Sequence, residues 1–171
     1  SLGVSELIAV ESDENRRAEV VKAIPVRGFE SYNEALDMCK PDMVIICTPP
    51  VMHIPQALRA LDNGAHVFIE KPLSSSFDGV NSLQNKAMET NRIVKVGYNL
   101  RYHPGISQIK KLLDEQLIGR ILWAYIEFGQ YLPDWRPWQD YRETYTARKD
   151  LGGGIVLDDT HEIDYSIWFF G

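Results

Sequence analysis

Apolar and polar positions fall into short blocks along the first hundred residues, and the blocks alternate between two periods. Leu7-Ile8-Ala9-Val10 is a brief apolar run that reads as a strand, and the polar stretch from about Asp13 to Lys22 reads as a helix. Val26 to Phe29 is a second short strand. Asn33-Glu34-Ala35-Leu36 opens a helix that Pro41 ends. Met43-Val44-Ile45-Ile46-Cys47 is apolar without interruption, as in a strand buried on both faces, and Thr48-Pro49-Pro50 stops it. A helix follows from about Met52 to Asp62, and Ala65-His66-Val67-Phe68-Ile69 is the next buried strand, entered through Asn63-Gly64. Phe77 to Thr90 completes the series as a helix, with Ile93-Val94-Lys95-Val96-Gly97 as the last strand. Strands alternating with helices predict a parallel sheet covered on both faces by right-handed crossovers.

The pattern changes after Asn99. Pro104 to Leu117 reads as an amphipathic helix closed by Gly119. Arg120 to Tyr131 reads as a longer strand with one exposed face. An aromatic and polar loop, Leu132 to Asp150, holds Trp135, Trp138, Tyr141 and Tyr145 together with Arg136, Arg142 and Arg148. Gly152-Gly153-Gly154 then leads into a final helix from about Ile155 to Phe170. These blocks predict an α/β fold: an incomplete Rossmann-type parallel sheet over 1–100, and over 101–171 the start of a second α/β domain with an open, mostly antiparallel sheet.

Composition narrows the function classes. The 171 residues are 44% hydrophobic and 25% charged, as in a soluble globular protein. A net charge of −6, with only Lys110-Lys111 as adjacent basic residues, argues against a nucleic-acid surface. No apolar stretch approaches a membrane span, and no signal-peptide pattern opens the chain. Cys39 and Cys47 form no disulfide framework, so a reducing, cytoplasmic setting is expected.

Candidate chemistry sits where strands end. Glu70-Lys71-Pro72 follows a buried strand, at the edge where α/β proteins place ligands, and the proline restricts the lysine's backbone. Glu11 ends the first strand, where an acidic residue of a dinucleotide-binding unit hydrogen-bonds ribose hydroxyls and disfavours a 2′-phosphate. Thr48-Pro49-Pro50 gives an extended wall poor in N–H donors, suited to a ring or to a rigid turn, with His53 one helical turn on. Asp158, His161 and Asp164 stand at successive i, i+3 positions of the last helix and share one face, an arrangement for acid–base work. No second histidine or cysteine cluster supports a metal there. The aromatic loop is a candidate wall for a carbohydrate, with arginines suited to carboxylate or phosphate. The glycine triplet does not follow a strand, which favours close backbone packing or a flexible helix entry over a phosphate cradle.

Taken in order, Thr48-Pro49-Pro50 with His53, Glu70-Lys71-Pro72, Gly97 to Pro104 (Gly-Tyr-Asn-Leu-Arg-Tyr-His-Pro) and Gly152 through Asp164 resemble the Gfo/Idh/MocA family, the glucose-fructose oxidoreductase and inositol dehydrogenase group. The resemblance covers most of the chain from about Glu11 onward. It implies an NAD(P)-dependent oxidoreductase moving a hydride between nicotinamide and a sugar, nucleotide-sugar or cyclitol hydroxyl. It implies that Lys71 contacts the reacting hydroxyl and the nicotinamide ribose, that His161 is the general base, and that Asp158 or Asp164 orients His161 or the substrate. On the same analogy Thr48, Pro49, Pro50, His53 and Glu70 line the cofactor path, Glu11 meets the ribose and Asn99 lies near the nicotinamide. Glu11 favours NAD over NADP.

Two departures from the family pattern stand out. The family commonly has aspartate four residues before the histidine; here that position is Leu157, and the acid is Asp158. No Gly-x-Gly-x-x-Gly turn occurs, so this chain is expected to be an internal fragment that binds dinucleotide weakly or not at all. Loss of a first central strand would leave unpaired edges, which predicts a homo-oligomer. The competing readings are a ligand-sensing protein of the same fold and an NAD-dependent sugar dehydratase or glycosidase.

Overall fold

The computed structural model describes residues 3–171. Among the described residues there are five strands: β1 (Ile8–Val10), β2 (Arg27–Phe29), β3 (Met43–Ile46), β4 (His66–Ile69) and β5 (Val94–Val96). The helices between them are α1 (Glu14–Ala23), α2 (Tyr32–Cys39), α3 (His53–Asp62) and α4 (Val80–Thr90). All strand pairs are parallel, which follows from the helical crossovers that join them. They form two separate ladders: β1 beside β2, and β3-β4-β5 in that order. The expected single sheet is therefore divided between β1 and β3. Among the described residues β1 pairs only with β2 and β3 only with β4, and Val10 (40%), Met43 (54%) and Ile45 (57%) are exposed.

The core lies under β3 and β4. Helix α3 buries Ile54, Ala57, Ala60 and Leu61, a stripe at helical spacing, and its alanines allow close approach to the strands. Ile46, Val67 and Ile69 meet that stripe from the sheet, and Leu83 meets it from α4. Caps follow the sequence signals. Asp13 accepts from the Arg16 N–H at 2.9 Å and Ser31 from the Glu34 N–H at 3.3 Å. Helix α2 ends on Lys40 in the left-handed region, just before Pro41.

Beyond β5 the chain makes a 3₁₀ turn, Asn99–Tyr102, and helix α5 (Pro104–Asp114), whose N-terminal Gly105 N–H is capped by the His103 ring at 3.2 Å. Helix α5 stops before the expected Leu117, because Gln116 and Gly119 take positive φ. The expected strand from Arg120 to Tyr131 is not a strand. Among the described residues no other strand lies beside it, and without a ladder its apolar side chains stay exposed: Leu122 77%, Trp123 80%, Tyr125 73%. The loop after it carries a short helix α6 (Leu132–Trp135) and 3₁₀ turns at Tyr141–Glu143, Tyr145–Ala147 and Lys149–Leu151.

The last helix is also not the single element expected. It breaks at Asp159 (φ −102°, ψ 45°) into a turn, α7 (Ile155–Asp158), and α8 (Thr160–Phe170). Asp158 therefore does not share a helical face with His161 and Asp164. Among the described residues no helix is long and apolar enough to cross a membrane.

Candidate active site

The site begins where β3 and β4 leave the sheet. The last bond of that ladder runs from the Glu70 N–H to the Ile46 carbonyl at 2.9 Å, and Lys71 follows at once. His53, only 1% exposed, ties the two exits together: its Nδ1 lies 2.8 Å from the Pro72 carbonyl and its Nε2 2.7 Å from the Thr48 carbonyl. Both ring nitrogens are thus occupied by backbone. The residue fastens the lysine segment to the Thr48-Pro49-Pro50 turn.

Lys71 and His161 line the same cleft, which has a volume of about 490 Å³. Thr48, Pro50 and Glu70 line it from the ends of β3 and β4, and Trp135, Arg136 and Tyr145 from the loop after α5. Asp158, 4% exposed, also lines the cleft. Its Oδ1 accepts from Lys71 Nζ at 3.2 Å and from Tyr145 Oη at 2.7 Å, and its backbone carbonyl accepts a short hydrogen bond from the same ammonium. Burial, then the bond to Asp158, pushes the Tyr145 phenol up to about 12, so Tyr145 acts as a donor at neutral pH.

The glycine triplet makes this arrangement possible through close backbone packing. The Gly153 N–H donates to the Arg148 carbonyl at 2.9 Å, and a Cβ at Gly153 would collide with the carbonyl oxygens of Tyr145, Thr146 and Arg148. Gly152, at φ +82°, sits against Ser75 and Pro50, so the turn that presents Tyr145 rests on the Thr48-Pro49-Pro50 wall.

His161 stands edge-on to Tyr98, with ring centroids 5.9 Å apart at 84°. Burial, and then the positive charge of Lys71, hold its imidazole below the ordinary value of 6.5, against the opposing pull of Glu162, Asp164 and Glu70. The neutral form is favoured, which is the form able to take a proton. Among the described residues no carboxylate is hydrogen-bonded to His161 Nδ1. Asp158 is turned to Lys71, Asp164 is held by Arg101, and His161 Nδ1 is buried without a partner. Four further atoms in the same run share that state: Asp158 Oδ2, Asp159 Oδ2, Thr160 Oγ1 and Glu162 Oε2. Of these residues, Asp158, Asp159 and His161 line the cleft, and unpaired polar atoms there suit a ligand rich in hydroxyls.

The remaining expected residues are scattered. Glu11 lies off the cleft, its carboxylate accepting from the Asp13 N–H at 3.0 Å. Asn99 is exposed at the start of its 3₁₀ turn, and Pro49 precedes the turn that Pro50 opens. Of the loop arginines, Arg142 is paired with Asp140 at 2.7 Å and Arg148 with Asp150 at 2.5 Å, which leaves Arg136 facing the cleft. Sequence reasoning placed Tyr145 in a general aromatic wall and missed its bond to Asp158. It also missed Arg101 as the partner of Asp164. Among the described residues no group of three or more histidine, cysteine, aspartate or glutamate side chains is placed to hold a metal.

Comparison with known proteins agrees with the geometry. The chain is 29% identical to levoglucosan dehydrogenase of Pseudarthrobacter phenanthrenivorans over all of its own length, and spans 44% of that protein. It is 31% identical to the NAD⁺-dependent scyllo-inositol 2-dehydrogenase of Bacillus subtilis, over 68% of this chain and 34% of the relative. The crystal structure of myo-inositol 2-dehydrogenase from Lactobacillus plantarum matches with a TM-score of 0.80 at 25% identity, over 98% of this chain and 49% of that one. The chain thus spans less than half of each of these relatives. Residues 3–98 match the oxidoreductase family with an NAD-binding Rossmann fold, and residues 106–171 match the C-terminal domain of the same group. The chain belongs to the Gfo/Idh/MocA oxidoreductase family.

Proposed function

We propose that this chain carries the reacting centre of a nicotinamide-dependent dehydrogenase that oxidises a hydroxyl of a sugar or cyclitol. The observation that carries the reading is the convergence of Lys71 and His161, ninety positions apart in sequence, on one cleft at the carboxyl ends of parallel strands. The residues present fit the nicotinamide end of the cofactor. Pro50 offers a flat wall with no N–H, Thr48 lines the same cleft, and Lys71 at the strand exit would hold a ribose hydroxyl. When bound there, the nicotinamide supplies a hydride acceptor.

The protein groups handle the proton. An ammonium has three donors, and Asp158 takes two of them through its carboxylate and its carbonyl. The third is free for the oxygen of a substrate hydroxyl. As that hydroxyl loses its proton to neutral His161, charge grows on its oxygen, and the positive charge of Lys71 stabilises it. A nicotinamide held beside Pro50 and Thr48 would accept the hydride from the carbon bearing that hydroxyl, so the alcohol would leave as a carbonyl. Tyr145 and Asp158 keep the ammonium on the cleft side throughout. Trp135 offers a ring face for stacking against a pyranose, and Arg136 supplies a cation for an acidic substituent where the substrate has one.

The test is NADH formation by the purified full-length protein from NAD⁺ with a panel of sugars and cyclitols. Lys71→Met and His161→Gln are each expected to lower kcat by about 10²–10⁴. Unchanged turnover in both variants would remove the mechanism.

A further inference from the structure

Helix α8 is joined to the turn after β5 by an ion pair one helical turn beyond the cleft-lining His161. Arg101 Nε donates to Asp164 Oδ2 at 2.7 Å, and its terminal nitrogen donates to Asp164 Oδ1 at 2.6 Å. The two planar groups meet face to fork, which fixes relative orientation as well as distance. The guanidinium also stands 5.5 Å from the Trp168 ring, one further turn along α8. Asp164 is 11% exposed at its side chain, so the pair is partly withdrawn from water.

Both ends of this clamp are anchored. Arg101 lies in the turn Asn99–Tyr102, and its carbonyl accepts from Ser107 Oγ at 2.7 Å on α5. That turn leaves β5 through Gly97, whose N–H bonds the Ile69 carbonyl at 2.8 Å, two residues before Lys71. Asp164 lies one helical turn after His161. The geometry therefore joins the lysine strand to the histidine helix by a short, stiff route. By contrast, the His161 ring makes no side-chain hydrogen bond of its own at Nδ1.

We propose that Arg101 and Asp164 are positioning residues: their bidentate pair, braced by Trp168, sets the rotation of α8 and so places the His161 imidazole opposite Lys71. Neither touches the reacting atoms. The inference rests on the dehydrogenase reading for its kinetic consequence, and on the geometry alone for its structural one.

Four variants test it: Arg101→Met, Arg101→Lys, Asp164→Asn and the exchanged pair Arg101→Asp with Asp164→Arg. Assays run well below the melting temperature of each variant. Arg101→Met and Asp164→Asn are expected to lower kcat about 10- to 100-fold with KM for the sugar within about threefold. Arg101→Lys, a point charge in place of a fork, is expected to fall between them and the parent, and the exchanged pair to recover at least about tenfold over either single charge loss. The His161 ring protons supply a readout independent of turnover. In the parent they feel the ring current of Tyr98, and in Arg101→Met they are expected to move away from that shifted position. Loss of thermal stability with unchanged kcat and an unmoved His161 resonance would overturn the proposal and leave the pair a plain structural contact. If the parent protein turns over no hydroxyl, the dehydrogenase reading fails, and the resonance alone decides the clamp: movement upholds it, and no movement overturns it.

Discussion

Lys71 and Asp158 form an ion pair across 87 residues of sequence, Nζ to Oδ1 at 3.2 Å, and the same carboxylate oxygen receives the Tyr145 hydroxyl. The lysine thus enters the cleft with its orientation set from two sides. Removing either partner loosens it in a different way. Asp158→Asn removes the charge and leaves the ammonium unbalanced in a partly buried place. A loss of about 2–3 kcal/mol in transition-state stabilisation is expected, or about 30- to 150-fold in kcat/KM. Tyr145→Phe keeps the charge pair and removes one donor, for an expected loss of about 1 kcal/mol, roughly fivefold. Steady-state kinetics on both variants checks the order. Tyr145→Phe being the more damaging would mean the phenol acts on substrate directly.

Stability should depend on pH through two neighbouring groups with opposite signs. His161 titrates below its ordinary 6.5 in the folded state. Between that lowered value and 6.5 the unfolded chain binds a proton that the native chain does not, so stability rises with pH across this window and is lost as the pH falls through it. Asp159 is the reverse. Burial first, then Glu162 and Asp158, raise its carboxyl above the usual 3.8, so the native state holds the proton longer and stability falls as pH rises through that window. Thermal melts from pH 4 to 8 check both (range set by the ordinary carboxylate and imidazole values). His161→Gln is expected to flatten the upper slope, and Asp159→Asn the lower one.

The open edges of β1 and β3 predict association. Unpaired strand edges flanked by exposed apolar side chains recruit other chains, and β3 carries exposed Met43 and Ile45. Light scattering after size exclusion is expected to show species heavier than a monomer that grow with concentration. Met43→Lys with Ile45→Lys is expected to shift the population toward monomer. A monodisperse parent monomer at every concentration would contradict this.

Much of the strand side was legible because its signals are local. The apolar run into Glu70-Lys71-Pro72, and the continuous run from Met43 to Cys47, need only their own residues to be read, and both became strands. The break at Asp159 carried a signal that went unused: Asp159-Thr160-His161-Glu162 has the acid, the hydroxyl residue and the glutamate three positions on that commonly open a helix. The stretch from Arg120 to Tyr131 shows the opposite limit. Its alternation is strand-like, but a strand exists only beside a partner, and the pattern of one segment cannot supply the other. The Arg101–Asp164 pair spans 63 residues and the Tyr145–Asp158 bond crosses a glycine turn, so neither leaves a periodic trace in the sequence.

The central claim is that Lys71 and His161 face one reacting centre. The titration of the His161 ring, followed by NMR in the parent and in Lys71→Met, tests it without any substrate. The account predicts that the midpoint rises in the variant, because the lysine's positive charge, which disfavours the imidazolium, is gone. A midpoint identical in the two proteins would show that the two groups do not share a cleft.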